Sequence, residues 1–264
     1  MSTQEISLSG IDDLSLILHT VYGSEVHHIN YGDASDRDEV AIYVPTIDEA
    51  LSLQSPIELY RYRSAYDRRG EEDYHTQPRS QKGDLDFNVY EVRHWSRIAL
   101  TGSPFILAPL FVDEEWIISE TDMGAELREN WDRFMSRSVI TKSIGYMKSQ
   151  YERMMGIRSN RVSRPELVDA HGYDTKFAAH MIRIGIQARK VVAGKGIEIP
   201  VNPVDAAKIR SVRAGEVEQD EVVAWYHALY AELSSALDEE RYFVPEEPDY
   251  AWVNDWAVRA IRNQ

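Results

Sequence analysis

The hydrophobic period of this chain changes once along its length, and that change limits the folds open to it. Up to about Pro109, short runs rich in β-branched and aromatic residues alternate with helical patterns. Beyond about Glu120 the apolar residues recur almost throughout at the helical period. "EVAIYV", "IELYRYR" (Ile57 to Arg63) and "DLDFNVYEV" (Asp84 to Val92) read as strands, with a helix in "RHWSRIALTG" after the last of them. "IDDLSLILHTVY" (Ile11 to Tyr22) sets Ile11, Leu14, Leu18 and Val21 on one helical face, and "FILAPLFV" (Phe105 to Val112) reads as a last short strand. In the second half "ELRENWDRFMS", "ITKSIGYMKSQYERMMG", "YDTKFAAHMIRIGIQARKVVAG", "PVDAAKIRSVRAG", "DEVVAWYHALYAELSSALDEE" and "DYAWVNDWAVRAIRNQ" read as helices. "GIEIPVNP" reads as a short extended piece between two of them, and Gly194 as the glycine that closes the third. The pattern predicts an α/β half followed by an all-α half.

Composition narrows the chemistry. The absence of cysteine excludes disulfides, thiolate metal sites and a cysteine nucleophile, and fits a reducing cytoplasm. The polar N-terminus, MSTQEISLSG, has no signal-peptide core, and no apolar run approaches the roughly 18 residues of a membrane span. A soluble cytoplasmic protein is expected. The net charge of −15 argues against extensive contact with duplex DNA, whereas a small anion held by a metal is compatible with it. Between Ser64 and Gly83 the chain loses apolar periodicity and reads as a long loop. With "YRYRSAYDRRG", Arg79 and Lys82 it gathers arginine and tyrosine in a composition that suits single-stranded nucleic acid or a solvated edge.

Two acids stand where a strand enters the core. Asp36 and Asp38, two residues apart, fall on one face of an extended chain directly before Val40-Ala41-Ile42-Tyr43-Val44. Like charges so close destabilise each other unless a cation sits between them, and hard divalent cations take carboxylate and phosphate oxygens. Upstream, Gly23-Ser24 offers backbone N–H groups and a hydroxyl to phosphate, with no side chain at the glycine to block approach. Farther on, Asp84 and Asp86 also share a strand face.

The second distinctive stretch is "HGYDTKFAAHMIRIG" (His171 to Gly185). A helix from about Asp174 sets Lys176, His180 and Arg183 on one face at i, i+4 and i+7, with Asp174 or Asp169 as N-cap. A lysine in the first turn of a helix is a natural phosphate ligand.

The spacing "GS…SDRDxVxxxVP" resembles the signature of the DNA polymerase beta-like nucleotidyltransferase superfamily. "HGYDTKxxxHxIR" is similar to the hallmark of a bacterial and phage branch associated with RNA ligases. The resemblance covers most of the chain, from Gly23 to "VPEEPDYAWVNDW". It implies an α+β fold, with a nucleotidyltransferase mixed sheet and flanking helices over 1–118 and a helical domain over 119–264 completing the nucleotide cleft. It selects Asp86 as the third carboxylate, from Asp86, Tyr90, Gly102 and Pro104. Asp36, Asp38 and Asp86 then become the expected catalytic and metal residues, holding two Mg²⁺ ions, with Mn²⁺ as the alternative. Gly23, Ser24, Lys176, Tyr173 and His180 become the expected contacts to a nucleoside triphosphate such as ATP. The implied reaction transfers a nucleoside monophosphate to a hydroxyl, on an RNA end or a protein, with release of pyrophosphate. A catalytically silent nucleotide-binding or toxin-neutralising protein and a phosphate-ester hydrolase using the same acids are the alternatives.

Overall fold

The computed structural model describes residues 2–29, 36–65, 83–157 and 164–263. In chain order the first half comprises β1 (Thr3–Glu5), α1 (Leu8–Asp12), β2 (Leu16–Tyr22), β3 (Arg37–Tyr43), α2 (Ile47–Leu51), β4 (Leu59–Arg63), β5 (Leu85–Glu91) and α3 (Val92–Leu100). Then come α4 (Pro104–Leu107), 3-10 turns at Ala108–Phe111 and Glu114–Trp116, β6 (Ile117–Glu120) and α5 (Asp122–Glu129). A further 3-10 turn, Trp131–Phe134, precedes α6 (Arg137–Met154), α7 (Pro165–His171), α8 (Thr175–Val192), α9 (Pro203–Ala214), α10 (Gln219–Asp238) and α11 (Tyr250–Arg262).

The architecture is α+β, as expected. Six strands form one mixed sheet in the order β1-β4-β5-β3-β2-β6, with β3 parallel to β5, β1 parallel to β4, and the remaining pairs antiparallel. Strand alternation sorts the side chains to two faces. Ala41, Tyr43, Phe87 and Val89 pack with Ile11 on one side. Ile42 and Val44 point to the other, where they join Trp95, Phe134, Val253 and Trp256 in the largest core. Asp38 shares the parity of Val40 and Ile42, so the acidic end of β3 faces the helices.

Two expectations are corrected. Residues 11–22 are not one helix, since Leu16–Tyr22 is a strand between β3 and β6. Both faces of β2 are covered, which erases the strand alternation and leaves a spacing that imitates a helix. Residues 105–112 are helical rather than extended. Pro104 occupies the first turn of α4, where its missing N–H is no loss, and the 3-10 turn with Pro109 follows directly. Of the expected loop, residues 66–82, with Arg79 and Lys82, lie outside the described residues.

The helical half is built around α8, which is buried on nearly every side by α6, α9 and α10. Gly185 permits the close approach, because a Cβ there would sit 2.8 Å from both Leu229 Cδ1 and Met147 Sδ. The boundary expected between 118 and 119 falls within β6, and α11 returns to pack on α3 against the sheet core. Among the described residues, no helix is long and apolar enough to cross a membrane.

Candidate active site

A single row of paired residues crosses one end of the sheet. Tyr22 pairs with Asp38, Asp38 with Asp86, and Asp86 with Arg63. Strands β2 and β4 end at this row while β3 and β5 begin there, so the Gly23 turn and Asp36 gather at the same edge. Oxygens of Asp36, Asp38 and Asp86 lie within 4.8 Å of one another, a spacing that suits one or two hard cations and nothing larger.

The electrostatics of this trio show what it lacks. Burial pushes the Asp38 carboxyl up to about 7, and the neighbouring charges of Asp36 and Asp86 add to the effect. Lys176 opposes it only in part. A buried carboxylate beside two other acids is stabilised in its charged form by any positive charge brought to it. The donor set is all oxygen, which fits Mg²⁺ or Mn²⁺ rather than a soft metal. Gly23 completes the cradle, with a φ of +80° and a position where a Cβ would lie 2.3 Å from Asp38 Oδ2. No residue with a side chain fits at that turn without displacing the carboxylate.

Asp36 and Asp38 line a cavity of about 250 Å³ together with Gly23, Ser24, Lys176, His180, Arg183 and Arg213. Its opposite wall is cationic. Lys176 stands in the first turn of α8, whose N-cap Asp174 accepts from the backbone N–H groups of Lys176 and Phe177 at 3.0 and 3.1 Å. Arg183 is the centre of this wall and is half-buried. Its guanidinium donates to His27 Nε2 at 2.6 Å, His180 Nε2 at 3.1 Å and Gln187 Oε1 at 3.1 Å. A guanidinium can only donate, so both imidazoles accept from it at Nε2. Burial, and then the Arg183 charge, holds His27 and His180 well below the usual histidine range. Arg183 thus keeps its charge among neutral partners, and no described carboxylate pairs with it.

The expected residues separate into two groups. Gly23, Ser24, Asp36, Asp38, Lys176 and His180 meet at the cavity, and Asp86 adjoins it through the acid trio. Tyr173, expected to line the cleft, does not do so. It is buried in the helical core, where its phenol donates to the Val217 carbonyl at 2.6 Å. His27, Arg183 and Arg213 were not expected as site residues. The i, i+4, i+7 face of α8 carries the signal for Arg183, whereas His27 and Arg213 reach the cavity only through the tertiary fold.

The family model for RlaP, an RNA repair pathway DNA polymerase beta family, matches residues 4–257. The chain belongs to this family. The RlaP match spans both the Gly23-Ser24 turn and the strand-borne acids. A solved nucleotidyltransferase-like protein from Exiguobacterium sibiricum is 11% identical, with a TM-score of 0.30, over 95% of this chain and 75% of that one. At that similarity it carries no argument about the site. No curated protein matches this RlaP member.

Proposed function

We propose that this chain is a metal-dependent nucleotidyltransferase, moving a nucleoside monophosphate from a nucleoside triphosphate to an acceptor hydroxyl on an RNA end or a protein. The observation that carries the reading is that Asp36 and Asp38, joined by Asp86 in the acid trio, share one cavity with Lys176, Arg183 and Arg213. Acids alone would suit a metal, and cations alone an anion. Together they suit a metal-bound polyphosphate. In this reading the α/β portion, 1–118, supplies the acids, and the helical portion, 119–264, closes the cleft with its cations.

Asp36, Asp38 and Asp86 would hold the ions, and Mg²⁺ bound there would supply the positive charge that draws the phosphates in and polarises them. Gly23 and Ser24 line the cavity where backbone N–H and hydroxyl groups can orient phosphate oxygens. Asp86 accepts the proton of the attacking hydroxyl. A bond forms from that oxygen to the α-phosphorus, the bond from the α-phosphorus to the bridging oxygen breaks, and pyrophosphate leaves. Lys176 stabilises the charge that develops on the leaving group. His180, neutral and bonded to Arg183, serves by holding that guanidinium rather than by moving a proton. The cysteine-free composition fits action in a reducing cytoplasm.

The test is thermal unfolding with each nucleoside triphosphate, with and without Mg²⁺, beside Asp36→Asn and Asp38→Asn. Binding only to the folded state at a hundredfold excess over Kd adds about 2.7 kcal/mol of stability. A Mg²⁺-dependent shift lost in both variants is the expected result. No shift with any nucleotide would overturn the reading in favour of the catalytically silent interaction protein.

A further inference from the structure

We infer that the ledge of Arg61, Arg63 and Asn88 beside Asp86 is the seat of the acceptor, and that the acceptor is the end of a single-stranded phosphodiester chain. This rests on the nucleotidyltransferase reading above and adds to it the side from which the second substrate arrives.

The three carboxylates open onto two different spaces. Asp36 and Asp38 line the cavity with Lys176, Arg183 and Arg213, but Asp86 does not. Asp86 lines a separate, open recess with Arg61, Tyr62, Arg63 and Asn88. The acid trio therefore stands between a larger cavity rich in cations and a smaller open shelf. A triphosphate with its leaving group fits the first, and a substrate that must come and go by one end fits the second.

The shelf has a built geometry. In the antiparallel pair of β4 and β5, Arg61 is opposite Asn88 and Arg63 opposite Asp86. Arg61 Nε donates to Asn88 Oδ1 at 3.1 Å, and Arg63 Nε donates to Asp86 Oδ1 at 3.0 Å. Each guanidinium is thus fixed by the same atom to the neighbouring strand. Arg61 is exposed, and among the described residues its hydrogen bonding is through Nε alone, which leaves its terminal N–H groups to solvent. Residues two apart on a strand are about 6.6 Å apart, which suits successive phosphates of an extended single strand.

The chemistry of the shelf favours a nucleic-acid end over a protein hydroxyl. Planar guanidinium groups grip phosphate in a bidentate fork that ammonium groups cannot reproduce. A nucleic-acid end brings its reacting hydroxyl and its flanking phosphates within one or two nucleotides, matching an Asp86 flanked by arginines. A protein hydroxyl brings no such anions. The net charge of −15 agrees with a short footprint, because the rest of this surface repels a long polyanion.

The experiment measures binding of a short fluorescein-labelled single-stranded RNA by anisotropy, with DNA of the same sequence as a second arm. Wild type is compared with Arg61→Gln, Arg61→Glu and the charge control Arg241→Glu. Arg241 lies beyond the end of α10, near the last turn of α8 and far along that helix from Lys176. Arg61→Glu is expected to weaken binding at least tenfold and Arg61→Gln several-fold, with little effect of Arg241→Glu. The slope of log K against log salt should fall by about 0.7 for each phosphate that the variant no longer neutralises. The Mg²⁺–nucleotide thermal shift should match wild type in all three variants. Equal RNA binding by wild type and Arg61→Glu, with that shift intact, overturns the inference alone. So does wild type that binds neither strand yet transfers label from an α-labelled nucleotide to a protein hydroxyl. Absence of the thermal shift in wild type instead removes the nucleotidyltransferase reading, and the acceptor ledge falls with it.

Discussion

Asp38 on β3 and Asp86 on β5 are direct register partners across a parallel strand pair. Neighbouring parallel strands lie about 4.8 Å apart, so the sheet holds two carboxylates side by side at a separation set by backbone hydrogen bonds rather than by loop conformation. Their mutual repulsion is built into the strands. Arg63 on Asp86 and Lys176 near Asp38 relieve it in part, and a bound cation or a proton would relieve the rest.

The burial of Asp38, with that repulsion added, predicts a stability gain on neutralising it. An acid whose carboxyl is raised from 3.8 to about 7 in the folded state binds its proton more tightly there than in the unfolded chain. The metal-free protein therefore loses stability as pH rises from about 4 through 7, and the loss is constant above that range. Asp38→Asn removes the loss, so in the presence of chelator the variant should be more stable than wild type at pH 8 by about 2–4 kcal/mol. At pH 4 the two should be nearly equal. Urea unfolding at both pH values measures it, and a variant less stable at pH 8 would refute the electrostatic account.

Gly23→Ala should leave the protein folded and abolish its response to Mg²⁺. The left-handed backbone costs a residue with a Cβ roughly 1–2 kcal/mol, and that Cβ collides with Asp38 Oδ2. Circular dichroism separates the two effects from the ligand titration. A folded variant with an unchanged metal affinity would show that the turn does not shape the site.

Arg183 is the test of the cationic wall. Because its described partners are neutral, Arg183→Gln strands no carboxylate, and the fold should tolerate it better than the removal of one member of a buried ion pair. Triphosphate affinity should fall by about tenfold or more, the scale of one charge-assisted hydrogen bond of roughly 1.5–3 kcal/mol. Affinity for the uncharged nucleoside should not move. Calorimetry with both ligands decides, and equal losses would mean a general collapse of the cavity.

Tyr173→Phe should reduce stability by about 1–3 kcal/mol, because it leaves the buried Val217 carbonyl without its donor. The nucleotide-induced thermal shift should be that of wild type. A variant of normal stability with impaired nucleotide binding would restore Tyr173 to the cleft.

Much of this is legible in the residues, for identifiable reasons. Asp36 and Asp38 precede a run of five apolar residues, and that local contrast marks a strand entering a core whatever surrounds it. Lys176, His180 and Arg183 share a helix face, and Asp174 caps that helix, because both are matters of spacing within one element. Leu16–Tyr22 misleads because a strand covered on both sides has no alternation to read. His27 and Arg213 are hidden for another reason. They come to the cavity from different parts of the chain, and no local pattern records a meeting that only the tertiary fold arranges.

The return of α11 to the sheet has a consequence for how the molecule is made. Val253, Trp256, Ala257 and Ala260 sit in the same core as Ile17, Ile42 and Trp95, with the whole helical half between them in sequence. During synthesis the first hundred residues emerge with that apolar surface still uncovered, and closing it waits on a segment not yet translated. The cavity cations Lys176, Arg183 and Arg213 belong to the same later half, so the proposed nucleotide site is complete only after that half is made.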